Sequence, residues 1–265
     1  MRYSPMKRAA FVAFACLMLG SLVTAADTEL RRLESVDDGR EWDAVGRLDL
    51  DGSGFCTGAL IDVDLVLTAA HCLFDPDTGE KLNFNDIEFR AGWRNGRATA
   101  YRWVKNAVVH PDYDYTADAA QDRVRNDVAL LQLMQPIRST QVKPFETSAD
   151  TDQDSYIGVV SYAHNRSEVP ALQEMCSVMS RQSGILVMSC DVDFGSSGAP
   201  VFTFSGGLPK IVSVVSAKAE VSGDAVSLGT ALDGPLDLLK DKIASQTQFT
   251  SANRRNKTGA KFVRP

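Results

Sequence analysis

The sequence predicts an all-β fold: two packed antiparallel β-barrels, followed by one C-terminal helix. Three observations lead there. Short apolar, often alternating runs recur along the chain with turn signals between them. No long stretch of helical periodicity separates them. Three motif-like segments are divided between the two halves of the chain, which suits two barrels with a site between them. Many short strands at close, even spacing are the pattern of barrels and sandwiches.

In the first half the runs lie at 44–50, 55–61, 65–69, 87–91, 98–109 and 128–133. In the second they lie at 156–162, 184–190, 199–204, 210–216 and 226–232. Asp62-Val63-Asp64 and Ser205-Gly206-Gly207 read as hairpin turns, because Asp, Ser and Gly accept the turn conformations other residues resist. Pro235 follows Asp233 and Gly234 and reads as the first residue of a helix over 236–243, where its fixed φ and missing N–H cost nothing. One domain is expected over 27–245, with barrels at about 40–140 and 150–233 and no internal repeat.

Residues 1–26 read as a signal peptide. Arg2, Lys7 and Arg8 form a basic start, 9–23 is apolar and uncharged, and Thr24-Ala25-Ala26 offers small residues for cleavage. The apolar run falls short of the roughly 20 residues of a spanning helix, so no stable membrane span is expected after cleavage. The mature chain is expected to be secreted or periplasmic.

Net charge is −6. Setting aside three basic residues in 1–26 and five in 246–265, neither segment containing an acid, leaves a body of −14. Such a body repels nucleic acid, and no nucleic-acid role is expected. The basic stretch 246–265 is polar and unpatterned and is expected to be disordered.

Cleavage also leaves four cysteines, Cys56, Cys72, Cys176 and Cys190. An even number in an exported chain argues for disulfides. Of the three possible pairings, Cys56–Cys72 and Cys176–Cys190 are expected, since each lies within one local stretch. No C-x-x-C spacing supports zinc. No metal or cofactor is expected.

The segments that carry chemistry are Thr68-Ala69-Ala70-His71-Cys72, Asn126-Asp127-Val128-Ala129-Leu130-Leu131 and Gly195-Ser196-Ser197-Gly198-Ala199-Pro200. A serine hydroxyl needs an adjacent base to become a nucleophile. That base works best when a buried carboxylate fixes its tautomer. In chain order the three segments supply His71, Asp127 and Ser197. The order His, Asp, Ser is that of chymotrypsin, distinct from the subtilisin and α/β-hydrolase orders.

On these motifs the chain resembles the chymotrypsin-fold (trypsin-like) serine proteases, and within them the bacterial secreted branch that includes glutamyl endopeptidases. The resemblance implies His71 as general base, Asp127 as its orienter, Ser197 as nucleophile, and the amides of Gly195 and Ser197 as the oxyanion hole. It rejects Ser196 as nucleophile. It implies an endopeptidase acting on protein or peptide substrates, and a monomer is expected. The alternative is a catalytically inactive binding or adhesion protein on the same fold.

Position 196 departs from the family pattern. The digestive relatives carry an aspartate where Ser196 stands, and it pairs with a freshly cut N-terminal ammonium to order the oxyanion hole. Ser196 has no charge, so neutral hydrogen bonds and packing are expected to do that work here.

Specificity is less defined. Asp191 lies at the trypsin pocket-base spacing, six residues before Ser197, but directly after Cys190. Ser216, Ala217 and Lys218 are expected to form the pocket wall. Val215 occupies the place where glutamyl relatives carry a histidine. Basic, small apolar and acidic side chains all stay open for the residue before the cut. His110 and His164 read as structural or surface groups. Asp75-x-Asp77-x-Gly79-Glu80 resembles half of a calcium loop with its glycine out of register.

Overall fold

A computed structural model describes residues 27–117, 120–149, 151 and 155–256. The signal segment 1–26 and the last part of the basic stretch, 257–265, lie outside them. The strands, in chain order, are β1 (Arg31–Arg32), β2 (Val45–Leu50), β3 (Phe55–Asp62), β4 (Leu65–Thr68), β5 (Ile87–Ala91), β6 (Ala100–Val109) and β7 (Ala129–Leu133). After them come β8 (Glu146–Thr147), β9 (Tyr156–Ser161), β10 (Ala171–Gln182), β11 (Ile185–Met188), β12 (Pro200–Thr203), β13 (Lys210–Val221) and β14 (Asp224–Ala231). The α-helices of the described residues are α1 (Val36–Gly39), α2 (Ala120–Asn126) and α3 (Pro235–Asn256).

Six strands close the first barrel in the order β2-β3-β4-β7-β6-β5, with β5 pairing back onto β2. The second closes through β9, β10, β11, β14, β13 and β12, with β1 added on β10 and β8 parallel to β13. Closure removes the exposed edges that open sheets leave unpaired. In β5 the burial alternates, with Ile87, Phe89 and Ala91 inward, as a period-2 strand on a filled barrel requires. Leu48, Leu60, Leu67, Phe89 and Leu131 fill the first barrel; Ile157, Val159, Val178, Leu186 and Val212 fill the second. Trp42, Phe145 and Phe202, the last on β12 of the second barrel, form an aromatic cluster, with Phe145 and Phe202 edge-on at 4.7 Å.

The two helices nearest the barrels differ from the predicted elements. The helix α3 runs to Asn256, well past the predicted 236–243 and into the stretch expected to be disordered. Leu236, Leu239 and Ile243 bury one stripe of it, and no Gly or Pro interrupts 236–256. Helix α2 was not predicted; it ends directly before Asp127 and is held by Thr230 Oγ1, which donates to Val124 O at 2.6 Å and Asp127 O at 3.1 Å.

Candidate active site

The first barrel delivers His71 and Asp127 to one place. Strand β4 ends at Thr68, and a 3₁₀ turn over Ala70–Leu73 carries His71. The disulfide Cys56–Cys72 ties that turn to β3, with a Cα–Cα distance of 6.2 Å. The second bridge is Cys176–Cys190, so both expected pairings are present. Cys56 and Cys72 lie beside His71 but, being bridged, offer no thiolate to a metal.

Asp127 is 3 % exposed, and a carboxylate so buried must find donors. It finds three. The His71 backbone N–H donates to Oδ1 at 2.8 Å, His71 Nδ1 lies 2.6 Å from Oδ2, and Ser216 Oγ donates to Oδ2 at 2.5 Å. An ionised carboxylate only accepts, so the proton of a neutral His71 sits on Nδ1 and leaves Nε2 with a free lone pair. Burial pushes the imidazole pKa down, but the Asp127 charge and hydrogen bond outweigh it, and the net shift is upward from 6.5.

The second barrel delivers Ser197 on the turn before β12. Gly195 and Gly198 both have positive φ, 94° and 74°. A side chain at Gly198 would drive into Thr68 Oγ1 and Thr57 O, and one at Gly195 into the Phe55 ring. Glycine is thus demanded twice over, by conformation and by the closeness of the first barrel. Thr57, fully buried on β3, grips this turn: its N–H donates to Ser197 O at 2.8 Å and its hydroxyl to Gly195 O at 2.8 Å. Phe194 O accepts from His164 N at 2.7 Å. The Phe194–Gly195 peptide is trans, so with its carbonyl anchored there the Gly195 N–H points the opposite way. Among the described residues, neither Gly195 N–H nor Ser197 N–H donates to a protein acceptor.

His71, Gly195, Ser197, Ser216, Ala217 and Lys218 line one cleft of about 690 Å³. Phe55, Phe74, Tyr115 and the 85 % exposed Phe194 give it apolar walls. Beside it, Asp191 and Lys218 share a smaller cavity of about 160 Å³ with Cys190 and Val226. No ion pair joins Asp191 to Lys218 among the described residues.

Several sequence expectations change here. Ser216 borders the cleft, but its hydroxyl is committed to Asp127, so it acts on the carboxylate as well as on the wall. His164, expected to be structural or surface, is exposed and lies on the cleft rim. Ser196 is fully buried, with its hydroxyl donating to Tyr162 O at 3.1 Å, away from the cleft. A guanidinium, Arg166, lies among its partners, so its surroundings are not wholly neutral. The Asp75 loop is an Asx turn whose carboxylate accepts from Asp77 N, Thr78 N and Thr78 Oγ1. His110 is buried and accepts from Asp112 N at 3.3 Å. Sequence reasoning missed Thr57 and Arg166 altogether.

Two barrels with a His–Asp pair and a glycine-flanked serine in the cleft between them define a chymotrypsin-fold serine protease scaffold. A sequence model of the trypsin family ("Trypsin") matches residues 35–231, well over half of the chain, and the chain belongs to that family. It is similar to mannan-binding lectin serine protease 1 of Homo sapiens, 30 % identical over 42 % of this chain and 17 % of that protein. It is similar to trypsin theta of Drosophila erecta, 32 % identical over 42 % of this chain and 38 % of that one. Cathepsin G of Mus musculus is 37 % identical over 36 % of this chain and 32 % of its own. The matched segments thus span well under half of these relatives' lengths. Among solved structures the fold resembles that of a Glu endopeptidase in complex with MPD, with a TM-score of 0.68 at 15 % identity over 83 % of this chain and 98 % of the other.

Proposed function

We propose that this chain is an exported serine endopeptidase that hydrolyses peptide bonds through an acyl-enzyme on Ser197. Ser197 Oγ attacks the scissile carbonyl carbon while its proton passes to His71 Nε2. The carbonyl oxygen becomes an oxyanion and accepts from the Gly195 and Ser197 amides. Collapse breaks the C–N bond, and the imidazolium returns the proton to the leaving amine. Water then attacks the ester, again giving its proton to His71, and the acid product leaves with Ser197 restored.

The observation that carries this reading is the pairing of an oriented His71, its Nδ1 2.6 Å from Asp127, with open amides at Gly195 and Ser197 in the same cleft. The two disulfides support an oxidising destination outside the cytoplasm. The test is turnover of a mixed peptide library by the purified protein and by Ser197→Ala. The reading requires cleavage by the first and none by the second; a wild-type protein that cleaves nothing would instead favour an inactive binding protein.

A further inference from the structure

The amide of Gly195 is useful only if the turn holding it is rigid, and behind that turn lies a buried cation that takes no part in the proton transfers of the triad. Arg166 is 7 % exposed. It sits at the end of a 3₁₀ turn over His164–Arg166, and its guanidinium donates to Ser161 O, to Ser161 Oγ at 3.0 Å and to Ser196 Oγ at 3.4 Å. Ser196 Oγ is the hub of the cluster: it donates to Tyr162 O at 3.1 Å and accepts from Asp193 N at 3.3 Å, while Ser196 N donates to Asp193 O at 2.8 Å. The same 3₁₀ turn anchors Phe194 O through His164 N. Two ends of one short turn therefore grip the Asp193–Ser197 segment on either side of Gly195. Burial pulls the Arg166 pKa down to about 10 against the pull of Asp191 and Asp193, so the group is charged at neutral pH. Thr28 and β1 lie instead along β10, with Thr28 N donating to Met175 O at 2.9 Å.

We infer that Arg166 is a positioning residue of the oxyanion hole: its guanidinium, fixed beneath Ser196, holds the 193–197 turn with the Gly195 N–H toward the cleft. It supplies from within the chain the cation that the digestive relatives take from a cut N-terminus. A buried cation is costly unless fully hydrogen-bonded, and here its partners are the strand end and the turn it orders. This inference rests on the proposed peptidase activity.

The test compares wild type with Arg166→Lys, Arg166→Gln and Ser196→Ala for kcat, KM and inhibition by a peptide boronic acid, whose tetrahedral adduct occupies the oxyanion hole. The expected result is a loss of about 10- to 100-fold in kcat for Arg166→Gln with little change in KM, a share of what deleting an oxyanion donor costs. Boronate affinity should weaken in parallel, affinity for the cleaved peptide product should hold, and Arg166→Lys should retain more than Arg166→Gln. Where Arg166→Gln does not fold, Arg166→Lys and Ser196→Ala, the latter removing the hydroxyl that links the guanidinium, Asp193 N and Tyr162 O, are each expected to lose kcat and boronate affinity together. Folded variants with kcat and boronate affinity within about threefold of wild type, a difference below 1 kcal/mol, would overturn the inference. An inactive wild type would instead overturn the peptidase reading.

Discussion

Ser216 Oγ donates to Asp127 Oδ2 at 2.5 Å, on the same oxygen that faces His71 Nδ1. The hydroxyl comes from the second barrel and the carboxylate from the first, so this bond fixes the carboxylate across the cleft. It exists because β13 slips register between Val215 and Ala217 and so turns Ser216 out of the barrel wall toward Asp127. Removing it leaves Asp127 with two donors, both from His71. For Ser216→Ala we expect a kcat loss of about tenfold, corresponding to roughly 1.4 kcal/mol for one charge-assisted bond of modest net worth. Steady-state kinetics on a peptide ester checks this, with KM expected to move less than kcat.

The His71 pKa is raised, and the sign of its two consequences differs. Activity needs the neutral imidazole, so kcat/KM should rise with pH through a midpoint above 6.5. Stability runs the other way. The protonated His71–Asp127 pair contributes stability fully below the unfolded value near 6.5 and loses it as pH rises through the folded pKa. Asp127→Asn should shift the kinetic midpoint down. It should also cost about 10⁴ in kcat through the wrong tautomer. A pH–rate profile of both proteins checks the direction.

Much of this architecture is legible in the sequence. The runs predicted at 87–91 and 128–133 fall on β5 and β7 because the first alternates and the second is apolar but for Gln132. Strand β10 is not legible: it pairs with β9 through one half and β11 through the other, and a register shift after Gln173 breaks its period. The three motif residues could be read because each sits in a short fixed segment. Thr57 and Arg166 could not, since their roles depend on contacts with Gly195 and Ser196, 138 and 30 residues away. A threonine in a strand and an arginine in a loop carry no local signal of such contacts.

The Cys56–Cys72 bridge holds the His71 turn, and Cys176–Cys190 leads into the Asp191 loop. Closing loops of this size contributes about 3 kcal/mol each by restricting the unfolded chain. Cys56→Ala/Cys72→Ala should lower Tm by roughly 6–12 °C and reduce kcat. The second pair should alter substrate preference more than turnover. Calorimetry and library cleavage separate the two effects.

Asp191 and Lys218 place opposite charges on one small cavity. Lys218→Ala should move library cleavage toward Arg and Lys before the cut, and Asp191→Ala toward Glu and Asp. Profiling both variants on one library checks it, and an unchanged profile in both would exclude this cavity as the seat of specificity.

Everything proposed for the cleft depends on Ser197, activated by His71, being the nucleophile. Labelling the purified protein with a fluorophosphonate and mapping the adduct by mass spectrometry tests it most directly. The phosphonyl group should sit on Ser197, at a rate that falls at least about 100-fold in His71→Ala and to background in Ser197→Ala, as expected when triad members act as a unit. A label on Ser196, or wild-type labelling no faster than that of Ser197→Ala, would contradict the account.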